Sequence, residues 1–96
     1  MKKLLLIEED TDVREMLAFA LENNGFEVIK DKKSASVDDV ISMKPHVVII
    51  DPSNTKLCAD LKANDATNPV PVIIYSATLN VNKIINKCGA DAVVAK

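Results

Sequence analysis

The stretch that most constrains this chain is His46-Val47-Val48-Ile49-Ile50-Asp51, a near-continuous apolar run that ends at a carboxylate. It is short, β-branched and bounded by Pro45 and Pro52, which predicts a strand buried on both faces. A sheet is covered on both faces only when helices flank it on both sides. Asp51 then falls at the carboxyl end of a central strand, where open α/β sheets bind ligands.

The rest of the chain alternates in the way such a sheet requires. Lys3 to Ile7 reads as a first strand, followed by the acidic turn Glu8-Glu9-Asp10-Thr11. Asp12 and Glu15 stand at capping-box spacing. Val13, Met16, Leu17, Ala20 and Leu21 then recur at helical intervals up to the stop at Gly25. Phe26 to Lys30 alternates like an edge strand. Ser36 and Asp39 repeat the cap pattern before a short second helix that ends ahead of Pro45.

After the central strand, Thr55 to Asn64 predicts a third helix with Leu57, Cys58 and Leu61 on its apolar side. Asn68-Pro69 marks a turn before a fourth strand, Pro71 to Ser76. Val81, Ile84, Ile85 and Cys88 form the stripe of a fourth helix closed by Gly89, and Ala92 to Ala95 is a fifth strand before Lys96. Five strands alternating with four helices predict a parallel α/β sheet. The less apolar second strand suits the flavodoxin-like order 2-1-3-4-5.

Composition removes several functions. The chain has 96 residues, a net charge of −2 and scattered lysines, so it lacks the clustered basic face of a nucleic-acid binder. No apolar stretch reaches the roughly 18–20 residues of a membrane span. The apolar run after Met1-Lys2-Lys3 is cut at Glu8, too early for a signal peptide. Cys58 and Cys88 show no metal-ligand spacing, and a reduced, cytoplasmic setting is expected.

In the 2-1-3-4-5 order the first and third strands are neighbours, so Glu8, Glu9 and Asp51 converge. Two like charges 4 Å apart at an effective dielectric of 20 repel by about 4 kcal/mol, so such a cluster protonates, splays or holds a cation. A hard divalent ion with oxygen ligands, Mg²⁺ foremost, answers that demand. The strand ends also bring a hydroxyl, Ser76, and an ammonium, Lys96. Carboxylates, metal, hydroxyl and lysine together suit phosphoryl transfer, with Asp51 as nucleophile.

Four segments carry a resemblance: KKLLLIEEDTDVR (Lys2 to Arg14), KPHVVIID (Lys44 to Asp51), PVIIYSA (Pro71 to Ala77) and GADAVVAK (Gly89 to Lys96). Their order and spacing resemble the receiver domains of bacterial two-component response regulators. The resemblance implies one receiver domain over residues 1–96, with Asp51 as phospho-acceptor and Glu8 and Glu9 as the acidic metal-binding pair. It implies Ser53 as a metal ligand through its backbone carbonyl, Ser76 as the switch hydroxyl and Lys96 as the site lysine. It further implies Mg²⁺, a sensor histidine kinase or phosphotransfer protein as donor, and an output domain or downstream protein as target. A receiver of this kind is a signalling module with self-phosphorylation and self-hydrolysis activity, not a metabolic enzyme.

The chain departs from the family pattern in four places. Both members of the acidic pair are Glu, whose extra methylene predicts weaker Mg²⁺ binding. The loop after Asp51 is several residues short. Val93 stands where an aromatic is usual. The proline and fifth helix that follow the lysine in the family are absent from the sequence, which predicts a bare apolar face on the fourth and fifth strands or a homodimer that covers it. The alternative function is a degenerate receiver that signals by protein contacts without phosphorylation. A flavodoxin-like cofactor binder is disfavoured, because Gly25 and Gly89 are the only glycines and no phosphate-cradling loop exists. Taken singly, Arg14 reads as a solvated helix residue and His46 as a surface residue.

Overall fold

The computed structural model describes residues 2–31, 35–76 and 88–95. Five parallel strands form one sheet in the flavodoxin-like order 2-1-3-4-5, as expected. They are β1 (Lys2–Ile7), β2 (Phe26–Asp31), β3 (Val47–Ile50), β4 (Val72–Ser76) and β5 (Ala92–Ala95). Three helices are described: α1 (Thr11–Asn23), α2 (Val37–Met43) and α3 (Thr55–Ala63). The stripe Val81-Ile84-Ile85 predicted for a fourth helix lies outside the described residues.

Side-chain alternation along the strands separates two apolar layers. On one face Leu5, Ile7, Val48, Ile50, Val72 and Ile74 pack against Val40 of α2 and Leu57, Cys58 and Leu61 of α3. Both cysteines are buried free thiols, and the Cys58 Sγ lies 3.5 Å from the Cys88 carbonyl oxygen. On the other face Leu4 and Leu6 pack under Ala18, Leu17 and Leu21 of α1.

The two faces of β3 are unequally covered. Val48 and Ile50 are sealed, whereas Val47 and Ile49 are only half-buried, so the expectation of burial on both faces holds for one face alone. An apolar groove of about 350 Å³ runs beside α1, lined by Leu4, Leu21, Phe26, Val47, Ile49 and Ile73. Val94, on the same face of β5, is 46% exposed.

Local chemistry sets the helix ends. Ser36 caps α2 in a reciprocal capping box with Asp39, as the spacing predicted. Lys44 then turns out of the helix in the left-handed region, φ 51°, ahead of Pro45. Gly25, at φ +90°, makes the equivalent turn after α1.

The start of α1 differs from expectation. Its cap is Asp10, whose Oδ1 accepts from the Val13 N–H at 3.2 Å, and Asp12 lies inside the first turn. The buried stripe is also displaced: Arg14 and Ala18 are buried, while Met16 is 61% exposed and Ala20 faces out. Leu17 and Leu21 belong to both possible stripes, so position alone did not decide between them. Contact with Leu4 and Leu6 selects the Ala18 side.

Candidate functional site at the carboxyl edge of the sheet

Strand register builds the site. Ile7 of β1 is level with Ile50 of β3, so the next residues, Glu8 and Asp51, emerge side by side. The Asp51 N–H continues the ladder by donating to the Ile7 carbonyl at 2.9 Å. Ile50 is level with Ile74, which places Ser76 two residues on, at the end of β4 and one level beyond Asp51. Lys96, which follows β5, lies outside the described residues, and the Ser76 side chain is likewise not described.

Asp51 is held in a defined orientation. It opens a single 3-10 turn, Pro52–Asn54, in which its Oδ1 accepts from the Ser53 N–H at 2.7 Å and its carbonyl from the Asn54 N–H at 3.0 Å. Proline at the first position of that turn costs no hydrogen bond, because its missing N–H would be unsatisfied there. Ser53, expected to contribute its carbonyl, thus meets Asp51 through its N–H. Its hydroxyl lies 3.4 Å from Glu9 Oε2, which ties the turn after β3 to the turn after β1.

Glu8 and Glu9 occupy different environments. Glu9 is exposed, whereas Glu8 is 1% exposed, with Oε1 accepting from the Asp10 N–H at 3.2 Å. The Glu8 carboxyl also hydrogen-bonds Asp51. Burial works to raise the Asp51 carboxyl. The Ser53 N–H, the Glu8 carboxyl and the Glu9 backbone outweigh it and hold Asp51 below its ordinary 3.8. Asp51 is therefore an ionised carboxylate at neutral pH.

The predicted convergence is thus partly realised. Glu8 and Asp51 are in contact, and Glu9 joins them through Ser53. Among the described residues, no group of three His, Cys, Asp or Glu side chains is arranged to hold a metal ion. The donor type still fits a hard divalent cation, because Glu8 and Asp51 bring carboxyl oxygens side by side at the ends of β1 and β3.

Two site residues escaped the sequence reading. Asp10 anchors the Glu8 carboxyl through its N–H and caps α1. The Asp12/Glu15 spacing hid it, because Val13 three residues after Asp10 cannot complete a capping box. Arg14 is 7% exposed and not solvated, and its Nη1 donates to the Glu8 carbonyl at 2.8 Å. His46, in contrast, is a surface residue as expected, its Nδ1 accepting from the Lys3 N–H at 3.0 Å.

A five-stranded parallel sheet with a carboxylate at the end of β3, beside an acidic turn after β1, defines a receiver-type α/β domain. No family model matches the chain. It is 28% identical over 103 aligned residues to the phosphate regulon transcriptional regulatory protein PhoB of Pseudomonas aeruginosa, an alignment covering 99% of this chain and 45% of PhoB. The chain therefore spans less than half the length of that curated relative. A structure of the Vibrio cholerae chemotaxis protein CheY4 superposes with a TM-score of 0.87 at 16% identity, covering all of this chain and 87% of the other. The signal receiver domain of a DNA-binding response regulator from Colwellia psychrerythraea superposes with a TM-score of 0.84 at 26% identity, covering 100% and 86%. In fold and strand order the chain matches the receiver domains of bacterial response regulators.

Proposed function

We propose that this domain is the phospho-accepting module of a two-component relay, with Asp51 as the acceptor. The observation that carries the reading is an ionised Asp51 fixed at the end of β3 by Ser53, in contact with the buried Glu8. In the reaction, the P–N bond of a phosphohistidine on a sensor kinase or phosphotransfer protein breaks. A P–O bond forms to an Asp51 carboxylate oxygen, and the electron pair of the broken bond stays on the imidazole.

A divalent cation such as Mg²⁺, when bound by Glu8, Glu9 and Asp51, would offset charge on the phosphoryl oxygens. The Ser53 carbonyl would complete that set, Ser76 would hydrogen-bond a phosphoryl oxygen and Lys96 would neutralise another. Glu at both positions of the acidic pair favours weak metal binding. Phosphorylation then biases the segments after Asp51 and Ser76 between two states read by an output domain or downstream protein. No described helix is long and apolar enough to cross a membrane.

A second reading, an interaction module that works without phosphorylation, draws on the Glu8–Asp51 hydrogen bond, which closes the two carboxyls on each other. Intact-mass measurement after incubation with Mg²⁺ and a small acyl phosphate separates the two. One added phosphoryl group, abolished in Asp51→Asn, supports the relay. No adduct together with no Mg²⁺ binding by titration supports the interaction module.

A further inference from the structure

Arg14 stands in the first turn of α1, where the helix dipole disfavours a cation. It is also buried, which penalises its charge a second time. The guanidinium meets neutral oxygens: Nη1 donates to the Glu8 carbonyl at 2.8 Å, and Nη2 lies 3.4 Å from Thr11 Oγ1. Two unfavourable placements of one charge ask for a compensating role. The contact with Glu8 supplies one, because that carbonyl belongs to the acidic turn beside Asp51.

The turn is also tied by the Asp10 N–H on Glu8 Oε1 and by the Ser53 hydroxyl near Glu9 Oε2, but neither contact engages the Glu8 carbonyl. Glu8 continues the sheet by donating its N–H to the Asp31 carbonyl at 3.0 Å, after which Glu9 and Asp10 are exposed. From there the chain must swing into α1 while the Glu8 side chain stays against Asp51. A short charged hydrogen bond from a rigid, planar guanidinium fixes the Glu8 peptide plane, and with it the direction of both Glu side chains. The same charge lies beside a turn bearing Glu8, Glu9 and Asp10, whose mutual repulsion it reduces.

We infer that Arg14 is a positioning residue for the acidic site: by pinning the Glu8 carbonyl it sets how Glu8 and Glu9 meet a divalent cation beside Asp51. This rests on the phospho-accepting reading above. Arg14 itself touches neither the cation nor the phosphoryl group.

The test is a Mg²⁺ titration by calorimetry, with the rate of acyl-phosphate labelling as a function of Mg²⁺, on wild type, Arg14→Met, Arg14→Gln and Arg14→Lys. Leu61→Ala, buried in the opposite layer, controls for lost stability. Arg14→Met is expected to weaken Mg²⁺ binding by about tenfold, the usual effect of losing a group that orients metal ligands. Its labelling rate recovers at saturating Mg²⁺. Arg14→Lys should restore part of the affinity, and Arg14→Gln, which keeps a donor without the charge, should fall between Met and wild type. Leu61→Ala should lower the melting temperature and leave the Mg²⁺ constant unchanged.

If Arg14→Met is folded and binds Mg²⁺ within about twofold of wild type, far from the tenfold expected of an orienting group, the inference is overturned. If Arg14→Met does not fold, an unchanged constant in both Arg14→Gln and Arg14→Lys overturns it equally. A wild-type protein that binds no Mg²⁺ refutes the phospho-accepting reading itself, and the role of Arg14 with it.

Discussion

Glu8→Gln isolates the electrostatic tension of the site. Glu8 is 1% exposed and hydrogen-bonds Asp51, so the folded chain holds two carboxyl groups in contact beneath a turn carrying two more. Two full charges 4 Å apart at an effective dielectric of 20 would repel by about 4 kcal/mol, which is a ceiling because Asp51 is only partly buried. Glutamine is nearly isosteric, still accepts from the Asp10 N–H and can donate to Asp51, so it removes charge without opening a cavity. A gain of about 1–3 kcal/mol at neutral pH follows, which for a domain of this size raises the melting temperature by roughly 5–15 °C. Thermal unfolding followed by circular dichroism in the absence of divalent ions measures it. Added Mg²⁺ should raise the melting temperature of wild type and do so less for the variant, since it loses a ligand. A Glu8→Gln protein no more stable than wild type would refute the reasoning, because the buried carboxyl would then carry no like-charge cost.

Two other consequences are open to measurement. The Asp91 carboxyl lies below its ordinary 3.8, because burial, which raises it, is outweighed by Lys62 and by the Val72 N–H at 2.8 Å. A depressed carboxyl contributes stability above its unfolded pKa and loses it as pH falls through the folded one. Asp91→Asn should therefore cost about 0.5–1 kcal/mol by denaturant unfolding at neutral pH, a modest figure because the carboxylate is 49% exposed, and nothing below the carboxylate range. Burial pushes the Cys58 thiol up to about 12, so a thiol reagent at neutral pH should label neither it nor buried Cys88 until the chain unfolds. Rapid labelling of the folded protein would contradict the packing of α3 against Cys88.

The fold was readable where one local signal dominated. Ser36 and Asp39 define the start of α2 because each side chain answers the other's backbone. Leu57, Cys58 and Leu61 define the buried side of α3 because no competing stripe exists. On α1 two stripes overlap at Leu17 and Leu21. The one that packs contains Arg14, which a hydropathy pattern assigns to solvent. Its burial depends on a hydrogen bond to a carbonyl six residues earlier, a tertiary fact with no periodic trace.

The site was legible to the same degree. Asp51 and the acidic pair were marked by strand ends, and the flavodoxin-like sheet order made them neighbours. Which carboxyl is buried was not written in Glu8-Glu9, two identical residues in sequence. The end of the ladder decides it: Glu8 still pairs with β2 through its N–H on the Asp31 carbonyl and is buried, whereas Glu9 lies beyond it and is exposed. The sequence run marked β3 as apolar on both faces, but not that Val47 and Ile49 are only half-buried while Val48 and Ile50 are sealed.

The central claim is that Asp51 accepts a phosphoryl group, and mapping the linkage tests it most directly. The protein is incubated with Mg²⁺ and a small acyl phosphate, quenched in acid, digested and analysed by peptide mass spectrometry. A single phosphoryl group is expected on the peptide containing Asp51. It should be labile to alkali and hydroxylamine, as an acyl phosphate is, and absent from Asp51→Asn. A stable adduct on a hydroxyl residue, or no adduct at any Mg²⁺ concentration, would contradict it.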